Sequence, residues 1–203
     1  MTFSDNNSQQ PIYYEDVEYF VTIITEGRYP YFNDPIIAEL FVRDLWFAVG
    51  QKQLAVFGYT VLPDHVHLMF EPKGELKFSE VLQSIRMNFL RDANDILIDR
   101  VGRFGVPAAG DGTSGRPLEY QQHYINDVEP LHERFHAAHG TNHKTPLFAW
   151  QESFRDHVTR DEIDFFKHLR YIFNNAVKHG LVIEAEDYPL MWITGMKNPF
   201  APD

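Results

Sequence analysis

Apolar and polar positions along this chain fall into runs that suit strands and runs that suit helices. Tyr19–Thr25 (YFVTIIT) is dense in aromatic and β-branched residues, the composition of a strand. Asp34 and Pro35 offer an N-cap and a first-turn proline. Ile37, Leu40, Phe41, Leu45 and Ala48 follow at helical spacing up to Gly50. Leu54–Leu62 predicts a second strand, Pro63 and Asp64 a turn, and His65–Phe70 a third strand. Ser79 can cap a helix that carries Val81, Leu82, Ile85 and Phe89 on one face. Leu147–Val158 (LFAWQESFRDHV) predicts a fourth strand with a bend. Arg160, Asp161 and Glu162 then open a long helix that runs to Lys178 and closes at Gly180.

The periodic pattern lapses from Gly102 to Thr145. A loop-like run (GRFGVPAAGDGTSGRP) is followed by polar, His-rich sequence with at most a short helix at Leu131–His139. We read this stretch as an insertion. The order β-α-β-β-α-(insertion)-β-α is the ferredoxin-like βαββαβ pattern with an extra C-terminal helix, an α+β fold on an antiparallel sheet. Residues 13–195 thus read as one domain, with a disordered tail at 1–12 and a short tail at 196–203. Such a fold hosts many functions, so the chemistry must be found in a site.

The composition fits a soluble globular chain: of 203 residues, 44% are apolar and 23% charged. Cysteine is absent, which excludes disulfide scaffolds and thiolate metal sites and fits a reducing cytoplasm. Met1–Pro11 is polar, so no signal peptide is expected, and no apolar run approaches the ~18 residues of a membrane span. The formal net charge of −11 argues at first against a nucleic-acid partner. Its distribution changes that picture. Residues 1–50 carry −6 and residues 181–203 carry −3, leaving −2 for residues 51–180.

Three constellations could carry chemistry. In His65-Val66-His67, residues two apart on a strand project from the same face. The two imidazoles either hold a divalent metal with at least one further ligand or are two histidines of a partly exposed strand. On the helix Asp161–Lys178, a helical projection gathers Phe166, Leu169, Phe173 and Val177 into an apolar stripe, widened by Phe165 and Ile172. Asp164, Lys167, His168, Tyr171, Asn175 and Lys178 fall on the opposite side. Tyr171 is then either an amphipathic surface tyrosine or a phenol nucleophile, with the Asn175 amide one turn on. His168, one turn before Tyr171, is either a helper of that phenol or a surface histidine. The third constellation, His132-Glu133-Arg134-Phe135-His136, matches H-E-x-x-H, the pattern of a zinc hydrolase with Glu133 as general base. Leu131 and Phe135 are its only apolar residues, and His139 stands where the extended pattern has glycine.

The first two constellations and their flanks resemble the REP-associated tyrosine transposases, relatives of the single-tyrosine transposases of the HUH nuclease class. The resemblance rests on Gly58–Phe70 (GYTVLPDHVHLMF), Trp150–Asp161 (WQESFRDHVTRD), His168–Val182 (HLRYIFNNAVKHGLV) and Glu186–Pro189 (EDYP), in that order. It covers roughly residues 17–190 outside the insertion.

The resemblance implies a metal-dependent, single-stranded DNA endonuclease and strand transferase acting at hairpins of repetitive extragenic palindromes. In that reading His65 and His67 are the metal pair, Asn175 a third ligand, and Mg²⁺ or Mn²⁺ the cofactor. Tyr171 is the nucleophile that forms a 5′-phosphotyrosine and leaves a free 3′-OH. A free phenol ionises only near pH ~10, so the metal or a neighbour must favour the phenolate. Arg86, Arg91, Arg155 and Lys178 are the candidate DNA contacts, and exposed aromatics can stack on flipped bases. The implied protein is a cytoplasmic, nucleoid-bound monomer or homodimer without a membrane partner. Two further functions stay open at this point: a non-catalytic hairpin-binding protein on the same scaffold, and the zinc hydrolase of His132, Glu133 and His136. The chain departs from its relatives where Asn-Pro is replaced by Asn175-Ala176, so the helix should continue through this point. It departs again at Leu190-Met191-Trp192, which replaces a tryptophan-serine run. Non-specific affinity for duplex DNA should be weak, and recognition should rely on hairpin shape, the metal and few phosphate contacts.

Overall fold

A computed structural model describes residues 17–51, 54–73, 75–98 and 117–197. Five strands form one antiparallel sheet in the order β4-β1-β3-β2-β5. They are β1 (Tyr19–Ile24), β2 (Leu54–Leu62), β3 (His65–Pro72), β4 (Arg155–Val158) and β5 (Met191–Ile193). The first four make the ferredoxin-like arrangement, and β5 extends it beyond β2. The helices are α1 (Pro35–Gly50), α2 (Phe78–Leu97), α3 (Leu118–His123), α4 (Glu129–His139) and α5 (Glu162–Lys178). Among the described residues no helix is long and apolar enough to cross a membrane.

The local signals act largely as expected. Asp34 Oδ1 accepts from the N–H groups of Ile36 (2.8 Å) and Ile37 (3.3 Å), capping α1. Asp161 Oδ1 does the same for Asp164 N–H (2.8 Å) at the start of α5. Gly180, at φ +68°, takes the left-handed conformation that ends the helix. Ser79 does not cap α2. Glu80 instead reaches back to accept from Lys77 N–H (2.8 Å), and the helix starts at Phe78.

The sheet separates two environments. Tyr19, Val21, Ile23, Tyr59, Val61, Val66, Leu68 and Phe70 point to one face, where they join residues of α1, α2, α3 and α4 in the main core. The alternate residues point to the other face, where Met69 meets Leu169 and Ile172 of α5 and Met191 of β5. Among the described α-helices, α5 is the one that covers the side of His65 and His67.

Three expectations need correction. The expected fourth strand, Leu147–Val158, pairs with the sheet only at Arg155–Val158, with an isolated bridge between Trp150 and Thr25. Phe148 and Trp150 turn into an aromatic cluster with Phe32 and Phe89, which draws the backbone out of sheet register. The later part of the expected insertion is helical from Leu118 to His139 and packs on the core through Tyr120, Tyr124, Val128, Leu131 and Phe135. A π turn at Tyr124–Val128 precedes Pro130, which has no N–H to return to the helix. The buried face of α5 is also rotated from the expected stripe. It is centred on Leu169, Ile172 and Ala176, and Phe166 is exposed. The expected tails at 1–12 and 198–203, and the first part of the insertion at 102–116, lie outside the described residues.

Gly58 of β2 sets how closely α5 and β5 approach. A Cβ there would stand 3.0 Å from Ile193 Cγ2, 3.2 Å from Leu169 Cδ2 and 3.2 Å from the Trp192 carbonyl oxygen. Gly58→Val is therefore expected to destabilise the fold by about 1–3 kcal/mol through overpacking, read as a lower midpoint in thermal unfolding.

Candidate active site

Cross-strand register builds the site. On the α5 side of the sheet, Arg155, Thr22, His67, Thr60 and Met191 form one row through successive strand pairs. Ile24, His65 and Leu62 form the next row, and His157, Phe20 and Met69 the one on the other side. His65 and His67 are both buried, with their rings 4.9 Å apart.

Each imidazole is held by one nitrogen. His65 Nδ1 is 2.6 Å from Asp64 Oδ1, and the other oxygen of that carboxylate accepts from Arg28 Nη1 (2.8 Å). His67 Nδ1 is 2.8 Å from the Thr22 hydroxyl. The tautomer that donates its Nδ1–H in each pair leaves Nε2 as a lone-pair donor, and neither Nε2 has a hydrogen-bond partner among the described residues. Burial pushes the His65 pKa down against the pull of Asp64. Burial, helped by the nearby positive charges of His65, His179 and Lys178, pushes His67 down to about 3. Both rings are thus kept in the neutral, ligating form at neutral pH.

One flank of α5 faces these histidines. Tyr171, Asn175 and His179 are spaced by one turn each. The Tyr171 ring is 5.0 Å from the His67 ring, and the His179 ring is 5.5 Å from that of His65. Asn175 lies between them at 1% exposure, with neither amide atom hydrogen-bonded. A buried amide left unpaired is costly unless a ligand completes it. Two neutral imidazoles and an unpaired amide oxygen fit a divalent cation. Tyr171 is 37% exposed, set edge-on to Phe20 at 5.7 Å, with Lys178 Nζ 5.1 Å from its ring centre. As the Asn175-Ala176 pair suggested, α5 continues unbroken through this point.

The candidate DNA contacts divide. Arg155 is exposed in the row of His67, and Lys178 is exposed beside Tyr171. Arg86 and Arg91 lie on α2, across the sheet from Tyr171. Arg86 donates to the Gln151 carbonyl (2.7 Å). Arg91 donates to Asp92 (3.1 Å), the Tyr120 hydroxyl (3.0 Å) and Asn88 (3.2 Å), and lies 4.1 Å from the centre of the Tyr120 ring. Both guanidinium groups are engaged by groups of their own chain, on the face of the sheet opposite Tyr171. The H-E-x-x-H histidines do sit on a helix, α4, with rings 4.3 Å apart. His136 Nε2 is engaged with the Ile96 carbonyl (2.9 Å), and Glu133 points to solvent.

Sequence reasoning missed His179, Thr22, Phe20 and Asp64. His179 carried a signal, its spacing of two turns from Tyr171 and one from Asn175. Thr22 and Phe20 had none, because their roles depend on which strand pairs with β3.

No family model matches the chain. A solved structure, "Structure of the REP associates tyrosine transposase bound to a REP hairpin", shares the fold, with a TM-score of 0.51 and 16% identity, over 96% of this chain and 93% of that one. A protein of Haemophilus influenzae (strain ATCC 51907 / DSM 11121 / KW20 / Rd), named "Putative REP-associated tyrosine transposase", is 48% identical over 178 residues, which is 84% of this chain and 76% of the relative. At that identity and coverage, the chain belongs to the REP-associated tyrosine transposases.

Proposed function

We propose that this protein is a metal-dependent single-stranded DNA endonuclease and strand transferase that acts at REP-type hairpins through a 5′-phosphotyrosine. The observation that carries the reading is the Tyr171 ring 5.0 Å from His67, over two imidazoles whose Nε2 atoms are unengaged. The hairpin substrate is suggested by the REP hairpin bound to the fold neighbour and by the name of the relative.

His65 Nε2, His67 Nε2 and the Asn175 side-chain oxygen would hold the cation, Mg²⁺ or Mn²⁺, which when bound neutralises charge on the scissile phosphate. Asp64 and Thr22 each engage Nδ1 of one imidazole, which orients the rings and leaves both Nε2 atoms available to a cation. Phe20 and Lys178 hold the Tyr171 ring from its edge and its face. Tyr171 Oη gives up its proton to solvent and attacks phosphorus in line. The bond from phosphorus to the 3′ oxygen breaks, and that oxygen leaves with the electron pair and takes up a proton. The product is a 5′-phosphotyrosine and a free 3′-OH. Attack of a 3′-OH on the phosphotyrosine reverses the step and joins strands without ATP.

The test is incubation of the full chain with hairpin-bearing single strands in Mg²⁺ or Mn²⁺. A covalent adduct on the 5′-phosphate of the fragment downstream of the cut is expected with the wild type, and none with His67→Ala. The absence of an adduct across a wide set of hairpins in both metals would sink the reading. Arg155→Ala is expected to weaken hairpin binding about equally for all sequences and to lower the salt slope of log K by about one, as for one lost phosphate contact. Fluorescence anisotropy over a salt series measures both.

A further inference from the structure

The proposed chemistry leaves a second set of donor groups unused. His157 lies on β4 opposite Phe20, which places its side chain on the α5 side of the sheet. Asp164 and His168 stand one turn apart on α5. His157 Nε2 is 2.6 Å from Asp164 Oδ2, and His168 Nε2 is 3.4 Å from Asp164 Oδ1. One donor atom from each residue lies within 4.8 Å of the others, and all three residues are half-buried.

We infer that His157, Asp164 and His168 form a second divalent-metal site, an N₂O set for a borderline transition ion such as Zn²⁺, Co²⁺ or Ni²⁺. The carboxylate turns one oxygen to each imidazole, so a strand and a helix bring three donor groups within reach of a single ion. The His168 approach to Asp164 has no hydrogen-bond geometry to account for it. Its length instead resembles the ~3.3 Å between neighbouring ligands around a tetrahedral ion with bonds of ~2.0–2.1 Å. Without an ion, His157 Nε2–H donates to Asp164 and holds that carboxyl below the usual carboxylate range, while burial pushes the His168 pKa down. An entering ion would take the place of that proton, with His157 turning to the tautomer protonated at Nδ1. Arg160 Nε, 3.7 Å from Asp164 Oδ2 on a largely exposed side chain, can swing into solvent as an ion enters. Two imidazoles and a carboxylate favour borderline ions over Mg²⁺, which prefers an all-oxygen shell.

The ion would pin β4 to α5 three residues before Tyr171. Phe20 stacks on His168 at 4.5 Å and also touches His67 and Tyr171, so the clamp adjoins the tyrosine site without sharing a ligand with it. The inference does not depend on the proposed cleavage reaction.

The test is titration of the metal-stripped full chain with Co²⁺, followed by calorimetry and visible absorption. Two equivalents are expected with the wild type and with Tyr171→Phe. Asp164→Asn and His168→Gln should each weaken one equivalent by at least about tenfold, while His67→Ala removes the other. Zn²⁺ should raise the unfolding midpoint of the wild type more than that of Asp164→Asn, whose near-identical shape preserves the helix. Co²⁺ binding in Asp164→Asn and His168→Gln equal to that of the wild type would overturn the site. So would a wild-type stoichiometry of one equivalent that His67→Ala abolishes.

Discussion

Tyr171→Phe is expected to abolish the covalent adduct and to lower strand cleavage by at least about a thousandfold, while leaving the fold intact. The substitution removes the oxygen and little else. Tyr171 is 37% exposed, and its hydroxyl makes no hydrogen bond among the described residues. Its ring packs against His67, Phe20 and Lys178, and phenylalanine keeps those contacts. Stability should therefore shift by no more than about 0.5 kcal/mol. A denaturing gel for the adduct and a thermal melt on the same preparation separate chemistry from folding. An adduct that persists in Tyr171→Phe would assign the nucleophile elsewhere, whereas unchanged hairpin affinity without cleavage is the expected pattern.

His123→Ala is expected to cost about 3–5 kcal/mol at pH 8. His123 lies in the main core, where Nε2 meets Asp44 Oδ1 at 2.8 Å and Nδ1 meets Asp127 Oδ2 at 3.0 Å. An imidazole that donates from both nitrogens is the protonated form. Burial opposes that charge, but the hydrogen bonds to Asp127 and Asp44 outweigh it and hold the His123 pKa up to about 9. Burial, and then neighbouring Asp92, pushes Asp44 up to about 7, so at pH 8 it depends on His123 for a counter-charge. Removing the imidazole leaves a buried carboxylate that must stay unpaired or take up a proton. The sign of the pH dependence follows. His123 has a higher pKa folded than its unfolded value of ~6.5. Its contribution is complete below pH ~6.5 and is lost as pH rises through about 9. Urea unfolding of the wild type at pH 6.5 and 9.5 should show that loss, and the His123 ring should still be protonated by NMR at pH 8.

Much of the fold was legible because its signals are local. Asp34-Pro35 and Asp161 announce helix starts, and Leu54–Leu62 turns through Pro63-Asp64 into His65 with the spacing of a hairpin. The short helix expected at Leu131–His139 is present within α4, but the helical run before it, Leu118–Val128, was missed although Tyr120, Tyr124, Val128, Leu131 and Phe135 recur every three or four residues. The polar residues between them hid the period, and His123 is a charged group that only tertiary partners make acceptable in a core. The three residues of β5 are too few to show a period, and they become a strand because β2 offers them an edge. At the site, His65 and His67 share a face by the geometry of any strand, and Tyr171 and Asn175 by that of any helix. Which flank of α5 meets β3 could not be read from the helix alone. Asn175, a polar residue at 1% exposure, lay on the side expected to face solvent. The surroundings of Arg86 and Arg91 were hidden for the same reason, since a guanidinium in a sequence does not reveal whether carbonyls and carboxylates of its own chain will engage it.

The two faces of the sheet differ in how firmly they are covered, and this has a kinetic meaning. The side of α1 and α2 holds the large aromatic core, whereas α5 is fastened mainly through Met69, Leu169, Ile172 and Met191 with partly buried neighbours. Local opening costs less where less apolar surface is buried. Amide protons of α5 should therefore exchange with deuterium well before those of β3, which has a neighbour on both edges. On that expectation the two histidines sit on a strand that opens rarely and Tyr171 on a helix that opens more readily. A DNA end joined to Tyr171 would then be held by the more easily opened element, and the histidines by the firmer one.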